Sequence, residues 1–266
     1  MSPRPSVDYG VFDRPEVLRF LFHPRKAPGP VENGGRFEEI MVPVADDIRI
    51  GARFHMVQKT GPTILFFHGN GEIVADYDDI APMFNRLNIN FMAVDYRGYG
   101  CSEGSPTVTA MMSDCHRLFD FTERWKADNG FNGPAIVMGR SLGSASALEL
   151  AATRGDRIDG LVIESGFAWA GPLLKLLGVR PERIGFEESD GFSNVEKIRS
   201  FTKPTRIIHA EFDHIIPFTD GQDLYEASAA SDKALVKISG ANHNDIFFRG
   251  MDLYLETLGG LASSLM

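Results

Sequence analysis

The residues with the clearest chemical potential are Gly139-Arg140-Ser141-Leu142-Gly143, which follow the apolar run 135–138 and precede the helix-forming stretch 144–152. A strand, then Gly-x-Ser-x-Gly, then a helix is the setting of a nucleophile elbow, which lifts the serine hydroxyl out of the sheet edge. We expect a strained backbone at Ser141, with Gly139 and Gly143 allowing close packing of strand and helix. Alternatively, the glycines only make a tight connection and Ser141 caps the helix.

The elements that would position this serine can be read from the apolar pattern. Apolar runs of strand length recur at 63–67, 91–94, 135–138, 161–163, 205–209 and 235–238. Helix-length segments lie between most of them or after the last, at 73–87, 107–128, 142–153, 217–229 and 244–263. Continuous apolar strands alternating with helices indicate a mostly parallel sheet covered on both faces. Residues 37–44 and 47–57 flank a turn signal and predict an antiparallel hairpin, which brings the expected sheet to about eight strands.

Polar residues follow the predicted strands, and ligands of such sheets bind outside the carboxyl ends of the strands. Ser141, Asp213 and His243 each follow a different apolar run. Serine, acid, histidine is also the chain order of the triad in α/β-hydrolases. A serine hydroxyl needs a base to become a nucleophile, imidazole can take and return that proton, and a carboxylate orients the imidazole. We therefore predict Ser141 as nucleophile, His243 as base and Asp213 as the acid.

The other histidines have weaker contexts for a base. His68 lies in the loop His68-Gly69-Asn70-Gly71-Glu72 and is expected to brace it through hydrogen bonds, and His209 is expected to be a satisfied core histidine. The remaining histidines have no matching context: His23, His55, His116 and His214.

The acid has alternatives. Asp213 could instead cap the following helix, and Glu211 and Glu164 also follow predicted strands. Asp245 is expected to cap the last helix.

The oxyanion of an acyl-transfer reaction needs two hydrogen-bond donors aimed at it. The N–H of Leu142, next after the candidate nucleophile, is one. The N–H of Asn70 is the expected second, because Gly69 lets that loop approach closely. This loop has a single glycine before the donor.

Composition narrows the class of protein. A chain of 266 residues is long enough for one large α/β domain, here expected to span 1–266. A net charge of −9 argues against nucleic acid or an anionic membrane as partner. Only Cys101 and Cys115 are present, without metal-ligand spacing, which favours reduced thiols in the cytoplasm and no metal site. The N-terminus lacks a signal-peptide pattern and no stretch is long enough to span a bilayer, so we expect no membrane anchor.

Two segments fall outside the strand–helix alternation. Residues 1–35 are Pro-rich, and the amphipathic piece 16–22 is expected to dock on the domain. Residues 166–200 are longer than a crossover needs and are expected to form a small cap or lid, the alternative being an ordinary crossover helix with a long loop.

Together these motifs resemble the α/β-hydrolase superfamily of serine hydrolases. The motifs that match in order are His68-Gly69-Asn70-Gly71, Asp95-Tyr96-Arg97-Gly98-Tyr99-Gly100, Gly139-Arg140-Ser141-Leu142-Gly143, Asp213-x-x-Ile216-Pro217 and Asn242-His243-Asn244-Asp245. The chain most resembles a small-cap branch that includes protein depalmitoylases and uncharacterised bacterial hydrolases. The resemblance implies a Ser141/His243/Asp213 triad, oxyanion amides at Asn70 and Leu142, and no cofactor.

Two departures from that branch bear on substrate. Depalmitoylases carry a Cys-rich N-terminal segment for membrane attachment, and nothing here corresponds to it, which argues against a palmitoyl-protein substrate. Arg140 is an unusual charge so near a strand end. We expect it to brace the elbow by pairing with Asp95 or Glu164, since an unpaired buried guanidinium is costly; the alternative is recognition of an anionic substrate.

The sequence therefore predicts a serine hydrolase that cleaves a carboxylic ester or thioester of a small acyl substrate. The alternatives are an aminopeptidase-like amide hydrolase, for which the acidic stretch 187–190 could bind the substrate amine, and a non-catalytic binding protein.

Overall fold

The protein folds around one eight-stranded sheet. The computed structural model describes residues 8–27, 35 and 37–266. Within them the strands are β1 (Glu38–Ala45), β2 (Ile48–His55), β3 (Thr63–Phe67), β4 (Asn90–Val94), β5 (Ala135–Arg140), β6 (Gly160–Glu164), β7 (Thr205–Ala210) and β8 (Lys233–Ile238). Their order is β1-β2-β4-β3-β5-β6-β7-β8. β1 and β2 pair antiparallel, as does β2 with β4, and the remaining pairs are parallel. The predicted hairpin and parallel sheet are confirmed.

Helices cover both faces of this sheet. They are α1 (Pro15–Leu21), α2 (Ala81–Asn85), α3 (Val108–Asp128), α4 (Gly143–Arg154), α5 (Ala170–Leu176), α6 (Asn194–Arg199), α7 (Phe218–Ala227) and α8 (Ile246–Ser264). Alternate residues of β3 face opposite ways: Leu65 and Phe67 pack on the side of α3 and α4, whereas Ile64 and Phe66 pack on the side of α2 and α8. The chain has the α/β-hydrolase fold.

One predicted helix was wrong. Residues 73–87 form a 3₁₀ turn (Val74–Tyr77) followed by the short α2, not one continuous helix. Pro82 has no N–H for a helical hydrogen bond and disfavours a helical residue before it, so it is accommodated in the first turn of α2. The other predicted bounds differ from the observed ones by no more than two residues.

The N-terminal segment packs on the domain as expected. Helix α1 buries Val17 and Leu21, and Phe12 is fully buried with its ring centroid 4.8 Å from that of Phe192. Residues 1–7 and 28–34, part of the Pro-rich segment, lie outside the described residues.

Residues 166–200 follow β6 and contain α5, two 3₁₀ turns and α6. Among the described residues, no helix is both long and apolar enough to cross a membrane.

Candidate active site

The turn after β5 has the backbone expected of a nucleophile elbow. Ser141 has a φ of 50°, the left-handed region that a residue with a side chain rarely adopts. Its N–H donates to the carbonyl of Glu164 on the neighbouring strand at 2.9 Å, and its carbonyl accepts from the Ser144 hydroxyl at 2.6 Å. Neighbouring main-chain and side-chain groups therefore fix the strained residue from both sides.

Gly139 and Gly143 are required by close packing, as predicted. A Cβ at Gly139 would lie 2.3 Å from the carbonyl oxygen of Gly143, and a Cβ at Gly143 would lie 2.2 Å from that of Phe67. Real Cβ atoms do not approach backbone so closely. The missing side chains thus let α4 start directly against β3 and β5.

The three predicted side chains meet at the carboxyl edge of the sheet. The Ser141 Oγ lies 3.0 Å from His243 Nε2, and His243 Nδ1 lies 2.7 Å from Asp213 Oδ2. Both distances are those of hydrogen bonds. His243 is 5% exposed, and the Asp213 side chain is fully buried. The Ser141 hydroxyl therefore bonds to an imidazole rather than capping α4.

Main-chain N–H groups hold the Asp213 carboxylate in place as a hydrogen-bond acceptor. Its Oδ1 accepts from the N–H groups of Ile215 at 3.0 Å and Ile216 at 2.8 Å, so it also caps the turn before α7. Burial alone would raise the pKa of this carboxyl, but the hydrogen bond and charge of His243 and these two amides lower it below its usual value. An ionised carboxylate at this point fixes the imidazole with its proton on Nδ1 and leaves Nε2 to accept from Ser141.

The other candidate acids lie elsewhere. The Glu211 carboxylate pairs with Lys237 at 3.0 Å and accepts from Gly240 N–H. Glu164 is bound by Arg140 and by the hydroxyl of Tyr254. Neither contacts the imidazole of residue 243.

Asp245 lies at the N-cap position of α8, as expected, and its main-chain carbonyl accepts from Arg249 N–H at 3.0 Å, but its side chain does not cap the helix. Its side chain makes no cap hydrogen bond to α8, because one oxygen accepts from Asn242 N–H at 2.7 Å and the other from Arg249 at 2.6 Å. Asp245 instead fastens the loop 239–245, which we call the histidine loop, to the first turn of α8.

The two predicted oxyanion donors belong to adjacent turns. Among the described residues, the N–H groups of Asn70 and Leu142 have no protein acceptor. The Asn70 side chain accepts from the Tyr99 hydroxyl at 2.7 Å and from His23 N–H at 2.9 Å, which anchors residues 68–73, here called the oxyanion loop. The Leu142 N–H directly follows Ser141 in the chain, and the Asn70 N–H belongs to the loop after β3, the strand next to β5.

His68 has the bracing role predicted for it. The ring is fully buried, with Nδ1 2.8 Å from the Gly69 carbonyl and Nε2 3.2 Å from Asp95. Burial would lower its pKa, but the hydrogen bond and charge of Asp95 raise it above the usual value.

His209 is buried, as predicted, and its Nε2 donates to the Ile216 carbonyl at 2.9 Å, which supports the turn that contains Asp213. Its Nδ1 has no hydrogen-bond partner among the described residues, so this core histidine is satisfied only in part.

Arg140 braces the elbow through one of its two expected partners and one further carboxylate. The guanidinium pairs with Glu164, as expected, and with Glu72 rather than Asp95. Asp95 Oδ1 instead lies 3.2 Å from His68 Nε2 and accepts from Val74 N–H, and its Oδ2 has no hydrogen-bond partner among the described residues. Sequence reasoning missed Glu72, although it stands directly after the Gly-rich loop.

Two cavities border this edge of the sheet. One of about 240 Å³ lies beside Arg140, Glu72 and Asn244 and is otherwise mostly aromatic. The other, of about 170 Å³, lies between α5 and the turn that follows Asp213. It is lined by Phe167, Pro172, Leu173, Leu176, His214, Ile215, Ile216, Pro217 and Asp220. Among the described residues, no cluster of three or more His, Cys, Asp or Glu side chains is placed to hold a metal ion.

Comparisons with known proteins show which family the chain belongs to. The family described as serine aminopeptidase, S33 (Hydrolase_4) matches residues 58–184. The α/β hydrolase domain-containing protein WAV2 of Arabidopsis thaliana is 27% identical over 239 residues, covering 83% of this chain and 77% of that protein. Human α/β hydrolase domain-containing protein 17B is 30% identical over 210 residues, covering 74% of this chain and 64% of that protein. The chain is a member of the α/β-hydrolase superfamily.

Solved structures show the same fold for this α/β-hydrolase. The Pyrococcus furiosus esterase Pf2001 matches with a TM-score of 0.73 at 16% identity, covering 91% of this chain and 98% of that one. Est1E from Butyrivibrio proteoclasticus, with ferulic acid bound, matches with a TM-score of 0.69 at 16% identity, covering 85% and 98%. The family match and the relatives support hydrolase activity. This chain spans less than two thirds of the length of the human relative.

Proposed function

We propose that this α/β-hydrolase is a serine hydrolase that cleaves a carboxylic ester or thioester through an acyl-enzyme intermediate. The observation that carries the proposal is the hydrogen-bond chain from Asp213 through His243 to Ser141, with contacts of 2.7 and 3.0 Å. A serine hydroxyl bonded to an imidazole that is itself oriented by a carboxylate is the arrangement that activates serine for attack on an acyl carbon.

In the acylation half-reaction, Ser141 Oγ attacks the carbonyl carbon while His243 Nε2 takes the hydroxyl proton. The carbonyl oxygen becomes an oxyanion that accepts from the N–H groups of Leu142 and Asn70. Each such donor is worth roughly 10²–10³ in rate. The intermediate collapses, and the leaving alcohol or thiol takes its proton from the imidazolium.

In the deacylation half-reaction, His243 removes a proton from water, which attacks the acyl carbon. A second oxyanion forms in the same place. Its collapse releases the carboxylic acid and returns the proton to Ser141 Oγ. Asp213 stabilises the imidazolium in both halves, and its lowered pKa keeps it ionised throughout.

The acyl group would occupy the cavity of about 170 Å³ between α5 and the turn after Asp213. We propose on this basis that residues 166–200 act as a small cap over the site. The wall of this cavity is mostly apolar and includes Leu173 and Leu176 from α5 together with Ile215 and Ile216. The cavity therefore suits a hydrocarbon chain.

A panel of p-nitrophenyl esters and matched thioesters of increasing acyl length tests the proposal. We expect turnover of at least one series, a preference for short or medium chains, and loss of turnover in Ser141→Ala with an unchanged circular-dichroism spectrum. Activity that survives Ser141→Ala at the wild-type rate contradicts the proposal. No turnover of any ester or thioester favours the non-catalytic alternative.

An aminopeptidase-like amide hydrolase is the second candidate, because the family that matches residues 58–184 carries that description. The acidic stretch considered for amine recognition offers little support: the Glu188 carboxylate accepts from the N–H groups of Ala170 at 2.6 Å and Gly171 at 2.8 Å. The side chain of Asp190 lies outside the described part of the chain. Comparing kcat/KM for a p-nitrophenyl ester with kcat/KM for an aminoacyl p-nitroanilide separates the esterase from the amide hydrolase. A higher kcat/KM for the anilide favours the amide hydrolase.

A further inference from the structure

Arg140 lies at the centre of a buried ionic cluster directly before the nucleophile. Its side chain is 8% exposed, and all three of its donor-bearing nitrogens are engaged. Nε donates to Glu72 Oε1 at 2.8 Å, Nη1 to Glu164 Oε1 at 2.5 Å and Nη2 to the main-chain carbonyl of His243 at 2.8 Å. One side chain on the elbow strand therefore binds three other elements directly: the oxyanion loop, β6 and the histidine loop.

The bond to His243 ties the histidine loop to the elbow. Arg140 and Ser141 are adjacent in sequence, and Ser141 N–H is fixed to β6, so the guanidinium is attached to a rigid strand pair. A charged donor to a carbonyl gives a stronger hydrogen bond than a neutral one. The main chain that carries the imidazole is thus held at a set distance from the hydroxyl it must deprotonate.

Glu72 extends the cluster to the oxyanion loop. Its Oε2 accepts from Gly69 N–H at 2.7 Å, and its own N–H donates to the Gly69 carbonyl at 3.3 Å. That carbonyl belongs to the same planar peptide unit as the N–H of Asn70, and in a trans peptide the two groups point in opposite directions. Fixing Gly69 from both sides therefore sets the direction of the Asn70 donor.

The charges make this arrangement stiff. Burial would raise the pKa of Glu72, but the charge of Arg140 and hydrogen bonds from Tyr77 and Arg140 lower it to about 2. Glu164 is held in turn by the Tyr254 hydroxyl at 2.6 Å. Removing the Arg140 guanidinium would leave two carboxylates, Glu72 and Glu164, without their counter-charge, which is costly.

We propose that Arg140 and Glu72 are positioning residues, which together hold the oxyanion loop and the histidine loop in register with the nucleophile elbow. The expected effect of these residues on kcat rests on the proposed function, whereas their expected effect on the order of the two loops does not. Each nitrogen of the guanidinium already donates to a protein acceptor, and two carboxylates balance its charge, so we assign it this role and not the binding of an anionic substrate.

Arg140→Lys and Glu72→Gln test the proposal, with Arg53→Lys as the matched control. Lysine keeps the charge but lacks the planar fork that reaches three acceptors, so the variant avoids leaving two carboxylates without a cation. Arg53 is an equally buried arginine paired with Asp78 and Glu39, on β2 and far along the sheet order from β5. Two readouts are measured: kcat and KM on the best p-nitrophenyl ester, and amide hydrogen exchange by mass spectrometry.

For Arg140→Lys we expect kcat to fall about 10- to 100-fold with KM within about threefold, because small misplacement of reacting groups costs rate more than binding. We expect faster exchange in peptides covering 239–245. Glu72→Gln should lower kcat about 10-fold and speed exchange in peptides covering 68–73. Arg53→Lys should lose a similar amount of thermal stability while keeping kcat within about twofold and leaving both loops unchanged.

The proposal is overturned if exchange in both loops matches wild type in both variants, or if Arg53→Lys loosens them equally. It is also overturned if KM rises while kcat is unchanged, which would indicate a substrate-binding role. If the wild-type protein turns over no ester, the proposed function fails, and the exchange measurement alone still decides whether the cluster holds the loops.

Discussion

Replacing Gly143 by alanine probes the contact on which the elbow depends. The new Cβ would lie 2.2 Å from the Phe67 carbonyl oxygen, 2.6 Å from its carbon and 2.8 Å from the His68 carbonyl oxygen. All three are backbone atoms, so no side chain can swing away. To reach even 3.0 Å, the shortest separation that real Cβ atoms show, the end of β3 and the start of α4 must separate by at least about 0.8 Å.

The expected energetic cost follows from two opposing effects. Overpacking of this kind costs about 1–3 kcal/mol, while alanine gains up to about 1 kcal/mol over glycine in a helix. Taken near the middle of both ranges, the net destabilisation is about 1–2 kcal/mol. At about 2.1 cal/mol/K per residue, the 266-residue chain should lose about 2–4 °C in Tm.

Activity should suffer more than stability. The displaced backbone leads directly into the oxyanion loop, so the Asn70 donor moves away from the Leu142 donor. A misplacement approaching 1 Å costs on the order of 10²-fold in rate, so we expect kcat on a p-nitrophenyl ester to fall about 10- to 100-fold. The assay pairs this rate with thermal unfolding followed by circular dichroism.

Gly260→Ala is the matched control. Gly260 lies in the exposed part of α8, and a Cβ there meets nothing within 4 Å. This change should stabilise the protein by about 0.5–1 kcal/mol and leave kcat unchanged. A Gly143→Ala protein as stable and active as wild type would refute the packing argument for the elbow.

Three further predictions follow from the same structure. Asp213→Asn should lower kcat about 10⁴-fold through loss of the correct imidazole tautomer, whereas Glu211→Gln should keep it within about twofold in the same ester assay. The pKa of Glu72 is lowered from 4.5 to about 2, so the stabilisation of the folded state by this carboxylate is present above pH 4.5 and is lost as pH falls toward 2. In urea unfolding, the free energy of unfolding of wild type should therefore fall by on the order of 2 kcal/mol more than that of Glu72→Gln between pH 5 and pH 3. Phe12→Ala should cost about 3–5 kcal/mol in the same measurement, since its ring is fully buried against Phe186 and Phe192; a loss below 1 kcal/mol would show that the N-terminal segment is dispensable.

Much of the fold could be predicted from the sequence because the parallel strands are buried on both faces. Such strands appear as uninterrupted apolar runs, and β3 and β5 are examples whose starts were found to the residue. The error at residues 73–87 arose because apolar spacing alone suggested a helix, whereas Pro82 divides the segment.

The meeting of the three site residues could be anticipated for a topological reason. The carboxyl ends of parallel strands share one edge of the sheet, so residues that follow such strands come together whatever their separation in sequence. Ser141 and His243 are 3.0 Å apart for this reason.

The pairing of Arg140 with Glu72 could not be predicted in the same way. It depends on how the oxyanion loop folds back after β3, through the bonds of Glu72 to Gly69 and Tyr77. Asp95 seemed an equally good partner for Arg140, because it also follows a central strand. The buried ring of His68 binds Asp95 and removes it from reach, which only the three-dimensional packing shows.

The most direct test of the account is reaction of the native protein with a fluorophosphonate probe, followed by peptide mass spectrometry. An activated serine attacks the phosphorus and displaces fluoride, leaving a stable adduct. We predict a single adduct on Ser141, formed orders of magnitude more slowly in His243→Ala. An unmodified Ser141 in folded wild-type protein, or equal labelling in His243→Ala, would contradict the claim that the imidazole activates this hydroxyl.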